Sequence, residues 1–189
     1  MLTANQLQTL KAAIAGNPTW AALPNTWEGS VALASLLNTV ASPAFMVWRT
    51  DSRVSSIIDA IDLSKYTPND APDGTATYTN RVLAAQTKQM NLQLMLQGRD
   101  TLNTALVTVR SGLRDAVIAV PTGTGGALVS PGGASGAIVL AACTRMATEV
   151  EKILATAPQG SDTTGSTSAR VMTFEGVVSV QDADTARNL

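Results

Sequence analysis

Apolar residues recur along this chain mostly at the spacing of helix faces. Leu7, Leu10 and Ile14 share one face of an opening helix. Thr3 and Gln6 are spaced as its capping box, Leu2 and Leu7 as a hydrophobic staple, Gly16 supplies the terminating position and Pro18 follows as a stop. A second helix starts near residue 26 and carries Val31, Leu33, Leu36, Leu37 and Val40 to the break at Ser42-Pro43. Residues 45–50 predict a short extended segment, because aromatic and β-branched residues follow a proline without a helical period. Val54, Ile57, Ile58 and Ile61 then return to the spacing of a helix face.

Past a loop with Pro68, Pro72 and the turn pair Asp73-Gly74, the pattern predicts a long helix over 77–97. It carries Val82, Leu83, Met90, Leu94 and Met95 among polar glutamines and ends at Gly98. Asp100 is placed to cap the next helix, where Leu102, Leu106, Val109, Leu113, Val117 and Val120 recur at steps of four and three before Pro121. Two long helices so closely joined predict an antiparallel hairpin. Small residues, glycines and prolines dominate 122–136, after which Ser135 is placed to cap a last long helix through Leu154.

Residues 156–168 are a Gly, Ser, Thr and Asp stretch with almost nothing to bury, the composition of a flexible linker. Beyond it, 170–174 alternates as a strand would, Glu175-Gly176 makes a turn, and Ser179 with Asp182 marks the start of a terminal helix. The expected fold is therefore mainly α: a helical bundle with a long antiparallel helix hairpin, one or two short β-strands and an extended C-terminal arm. Its expected divisions are a helical body over 1–155, the linker over 156–168, and a strand-turn-helix docking arm over 169–189. Val171, Phe174, Val177 and Val178 form a compact apolar set in that arm, and with Glu175 they are the candidate interface residues. The alternative is that the arm folds back on its own body, pairing with 45–50.

Composition sharpens this. Charged residues are 14% of the 189 and the net charge is −1, against an ordinary charged share of about a quarter. A surface so poor in charge is weakly protected against self-association, so a permanent oligomer or a place in a larger assembly is expected. Histidine is absent, and the single cysteine, Cys143, sits in an alanine-rich run. The usual proton shuttle and the usual metal ligands are therefore missing, no internal disulfide is possible, and no cofactor or metal is expected. The start of the chain lacks the pattern of a signal peptide, and no apolar run is long enough to span a bilayer, so synthesis and folding in a cytosol, without membrane contact, are expected.

Motifs for chemistry fail on inspection. Gly132, Gly133 and Gly136 have the wrong spacing for a dinucleotide turn, and no Lys-Ser or Lys-Thr follows for a nucleotide loop, so a mobile loop is the better reading. Asp59 with Asp62, and Glu149 with Glu151, read as solvated helix positions rather than carboxylates converging in a pocket. The many hydroxyls lack any base beyond Lys or a carboxylate. Arg99, Arg110 and Arg114 are spread out, with Asp100 and Asp115 beside two of them, which favours solvation or subunit contact over specific nucleic-acid binding.

Two ends of the sequence carry a resemblance. Residues 2–25, with Leu-Gln-Thr-Leu-Lys-Ala-Ala-Ile and Asn-Pro-Thr-Trp-Ala-Ala-Leu-Pro-Asn, resemble the start of a group of small virion proteins of tailed bacteriophages and prophages. Residues 41–49, with Ser-Pro-Ala-Phe-Met-Val-Trp-Arg, and 172–187, with Thr-Phe-Glu-Gly and Asp-Ala-Asp-Thr-Ala-Arg, are similar to the same group. The resemblance is weak in the middle of the chain and contains no catalytic motif. It implies a part of the phage particle, made in the bacterial host cytoplasm. The helical content favours a head-to-tail connector, which the resemblance implies to be a ring of copies under the portal with extended C-terminal arms. Its expected partners are other copies of itself, the portal protein and a tail component. DNA would pass nearby without specific binding, because tight phosphate contacts would hold it back. The alternatives are a capsid-associated or tail-assembly protein, a stand-alone helical binding module, and an enzyme with a hydroxyl or carboxylate site.

Overall fold

The computed structural model describes residues 1–155 and 169–189, and the expected linker over 156–168 lies outside them. In chain order the first elements are α1 (Ala4–Gly16), α2 (Pro18–Ala21), α3 (Trp27–Leu37), β1 (Met46–Trp48), β2 (Ser52–Arg53), α4 (Val54–Asp59) and α5 (Ala76–Leu96). There follow β3 (Thr101–Leu102), α6 (Val107–Ala116), α7 (Ala137–Ala142), β4 (Thr144–Met146), α8 (Glu149–Leu154) and α9 (Val180–Asn188). The protein is mainly α, and among the described residues it has two two-stranded sheets, β1 with β4 and β2 with β3. It divides into two compact units, one of Met1–Trp48 with Arg145–Leu189, the other of Arg49–Thr144.

In the first unit α1 opens as its sequence dictates. The Thr3 hydroxyl accepts from the Gln6 amide at 3.3 Å while Gln6 Oε1 accepts from the Thr3 amide at 2.8 Å, closing the capping box. Gly16 stays within the helix, and Asn17 both ends α1 and caps α2, its Oδ1 accepting from the Thr19 and Trp20 amides. On α3, a Cβ at Gly29 would lie 1.9 Å from the Pro24 carbonyl oxygen, so that close approach requires glycine. Leu10 and Ile14 of α1, Leu33 and Leu37 of α3, Val150 of α8, and Val178, Ala183 and Ala186 at and on α9 form one core. The alanines of α9 have no bulk beyond Cβ, which lets it lie close against α3 and α1. Ala41, Phe45, Val47 and Ala147 form a second cluster, with Met172 packed on it.

Here the chain beyond 168 departs from a docking arm. Residues 170–174 form no strand; Arg170 makes a single parallel bridge to Val47, donating to the Met46 carbonyl at 2.9 Å and accepting from the Trp48 amide at 2.8 Å. That is the folding-back alternative, and residues 169–189 belong to the same compact unit as α1 and α3. The Ser179 cap of α9 forms as expected, accepting from the Asp182 amide at 3.0 Å.

Two predicted helices are corrected by the structure. The stretch from Asp100 to Val120 is not one helix, because Thr101 and Leu102 pair antiparallel with Arg53 and Ser52, and α6 begins only at Val107. The reason is long-range: Thr104 is buried with its hydroxyl donating to the Arg49 carbonyl at 2.7 Å, beside Ser52 Oγ at 2.7 Å, while its amide also reaches Arg49. Leu102, Leu113, Val117 and Val120 are buried, but Leu106 is 52% exposed. The predicted helix from Ser135 to Leu154 is likewise split into α7, β4 and α8. Pairing of β4 with β1 interrupts it, and Thr148 with Glu151 starts α8 afresh through a second capping box. The glycines near residue 133 meet steric and backbone demands. A Cβ at Gly132 would stand 2.6 Å from Val117 Cγ2, and Gly133 has φ +80°, so this loop is packed onto the core and not the expected mobile one.

Candidate assembly surface

The longest helix, α5, is fastened along one side and bare along the other. Thr75 caps it, accepting from the Tyr78 amide at 3.2 Å, and Ala85, Leu92 and Leu96 face inward. Its only two charged residues are both committed within the unit. Arg81 makes a bidentate pair with Asp70, at 2.9 and 3.2 Å, which holds the Asp70 carboxyl below its ordinary range. Lys88 donates to the Asp115 carbonyl at 2.5 Å and lies 3.4 Å from its carboxylate. On the far side Leu83, Met90 and Leu94 are 54%, 59% and 65% exposed. At 3.6 residues per turn these three fall within roughly 40° of one another, opposite the buried residues. They form an apolar ridge on a helix face without a charge.

On the side of α5 away from the ridge lies a groove of about 500 Å³, lined by Val54 and Ile58 of α4, Leu63, and Leu92 and Leu96 of α5. Gln89, Gln93 and Gln97 line its edge. Their amides supply hydrogen-bonding groups at no cost in net charge. Ridge, glutamine strip and groove belong to one unit, and the groove's own lining carries no charged side chain, while Arg53, Arg99 and Asp100 line the adjoining hollow that shares Val54 and Ile58. Depletion of charge with apolar residues exposed on a regular element is the composition of an interface core, not of a solvated helix face.

The residues expected to form an interface in the tail do not act as one set. Val178 is 3% exposed, inside the first unit's core, its amide donating to Asn38 Oδ1 at 2.9 Å, and Phe174 packs on the same core. Val177 is 71% exposed and Val171 is also exposed. Glu175 pairs with Arg145 at 2.8 Å. That pair belongs to a partly buried ionic cluster in which Arg145 also grips both oxygens of Glu151, at 2.6 and 2.7 Å, and Glu151 accepts from the Thr148 and Gly176 amides. Burial pushes the Glu151 carboxyl up, but the hydrogen bonds from Arg145, Thr148 and Gly176 outweigh it and hold the group below the ordinary carboxylate range. The cluster ties the tail to α8.

The remaining candidate chemistry is structural. Asp62 caps the 3-10 turn Leu63–Tyr66, and Glu149 accepts from the Ser42 amide while pairing with Lys152, but Glu151 is buried against Arg145 and is not the solvated helix position expected of it. Arg110 is turned inward to the Thr104 and Ala105 carbonyls. Burial raises the Cys143 thiol, which suits packing and not nucleophilic attack. Among the described residues no group of three or more His, Cys, Asp or Glu is placed to hold a metal ion, and no helix is long and apolar enough to cross a membrane. The sequence contained the signal for the ridge, Leu83, Met90 and Leu94 at steps of seven and four, but the same residues served equally well as a core face. Comparison with known protein families, with curated proteins and with solved structures finds no match.

Proposed function

We propose that this chain is a non-enzymatic structural protein of a tailed-bacteriophage particle, a ring-forming head-to-tail connector that binds the portal on one side and a tail component on the other. The observation that carries the assembly reading is the uncharged ridge and groove of α5. A chain with 14% charged residues and a bare Leu and Met stripe gains by covering that stripe. The placement at the head-to-tail junction comes from the resemblance at residues 2–25, 41–49 and 172–187. DNA passing the ring meets a surface that holds it weakly.

The test is deletion of the gene in the phage, with the particles imaged. Full heads and complete tails that fail to join support a connector. Joined particles of normal form count against it, and loss of the heads themselves favours the capsid-associated alternative.

A further inference from the structure

We infer that the hollow between Arg49 and Arg53 is a phosphate-binding site, in which two guanidinium groups and the Ser56 hydroxyl share the oxygens of one phosphate group. The inference does not depend on the connector reading. The hollow measures about 440 Å³ and is lined by Arg49, Arg53, Ser56, Ala141, Ala142 and Thr144, all within the second unit. Arg53 is fixed on β2, where it pairs with Thr101, and Ser56 lies on α4, which follows β2 directly. Ala141 and Ala142, at the end of α7, offer only methyl groups, so this wall leaves the space open.

Charge is the first support. The lining holds two cations and no carboxylate. Elsewhere the guanidinium groups are committed within the protein: Arg81 to Asp70, Arg145 to Glu151 and Glu175, and Arg110 to two backbone carbonyls. Arg53 differs, since its side chain meets no carboxylate and no carbonyl among the described residues. Arg49 is held at the wall by its Nε, which donates to the Thr144 carbonyl at 3.3 Å. Its Nη1 stands 3.8 Å from Asp51, whose side chain is 69% exposed, and so open a pair neutralises little. The adjoining hollow shares Arg53 but sets Asp100 beside Arg99, which weakens its attraction for an anion.

The second support is the shape of the donor set. A carboxylate has two oxygens in one plane and is satisfied by a single guanidinium fork. Two forks on separate elements of the chain, with a hydroxyl between α4 and the hollow, match an anion that offers oxygens in several directions. Arg49 is already anchored, so less side-chain freedom is lost when the anion arrives. Phosphate reaches this site either as the free ion or as one link of a nucleic-acid backbone, and the chemistry of recognition is the same.

The experiment is a nuclear magnetic resonance titration of the full chain with sodium phosphate at constant ionic strength, following the amide signals of residues 49–56 and the arginine Nε–H signals. Saturable shifts below about 20 mM are expected, with Arg53→Gln weakening the binding at least ~10-fold through loss of its charged hydrogen bonds. Arg99→Gln, in the adjoining hollow, is expected to leave the affinity unchanged, and the spectra themselves report that both variants stay folded. A parallel titration with duplex DNA distinguishes the source: binding that Arg53→Gln weakens, with a salt slope near −0.9 for one phosphate, assigns the site to a nucleic-acid backbone. Phosphate binding without DNA binding assigns it to the free ion. The site is overturned if neither ligand shifts these signals, if Arg53→Gln binds both as the wild type does, or if acetate binds as well as phosphate.

Discussion

Leu106 and Leu113 sit seven residues apart in the same apolar pattern, yet one is half exposed and the other wholly buried. Leu113→Asp is expected to lower stability by several kcal/mol, a large part of the ~5–15 kcal/mol of a domain, by putting an unpaired carboxylate into the core. Leu106→Asp is expected to change it by about 0.5 kcal/mol or less. Urea denaturation of both variants measures the difference. Glu151 makes a pH prediction. Its folded-state acidity is stronger than that of the unfolded chain, so its contribution is fully present above the ordinary glutamate range near ~4.3 and is lost as pH falls through the lower folded value. Glu151→Gln removes that dependence, so between about pH 5 and pH 3 its melting temperature falls less steeply than the wild type's. Identical slopes would remove Glu151 from the acid response.

At the scale of elements, removal of residues 169–189 is the discriminating test. A detachable arm would leave the body folded, whereas here Val178, Ala183 and Ala186 fill the first unit's core and the Asp182 carboxylate accepts from the Leu2 amide at 3.0 Å. The truncated protein is expected to lose the cooperative melting of the first unit, seen by circular dichroism and calorimetry. Much of this level was legible in sequence: the capping boxes and caps at Thr3, Thr26 and Ser179, and the long α5, follow from local residues. Thr148-x-x-Glu151 was equally local, a helix start hidden inside the stretch that reads as one long helix. The break between 100 and 107 was not local, since it depends on Thr104 meeting Arg49 and Ser52. Nor was the destination of the tail, because Phe174 and Val178 carry the same pattern whether they meet a neighbour or, as here, the core beside Asn38. The ridge was visible as spacing, but its exposure depends on which other face of α5 is covered.

For the whole molecule, the sparse charge makes a prediction about association. If copies meet through the uncharged face of α5, the midpoint concentration for assembly should shift little between about 50 and 500 mM sodium chloride, because screening acts on charges. Sulfate should strengthen it through apolar burial. A strong weakening by sodium chloride, measured by light scattering, would instead place the contact at charged residues. The division of the chain has a further consequence, for the order of events at the ribosome. Residues 49–144 are contiguous and have all their partners once they emerge, but α1 and α3 must wait for 178–188 to arrive. At ~5–20 residues per second that wait lasts on the order of ten seconds, during which Leu10, Leu33 and Leu37 stand open to chaperones. The helices synthesised first are then among the last to be sealed, and a ribosome that stalls in between releases a chain that quality control reads as unfinished.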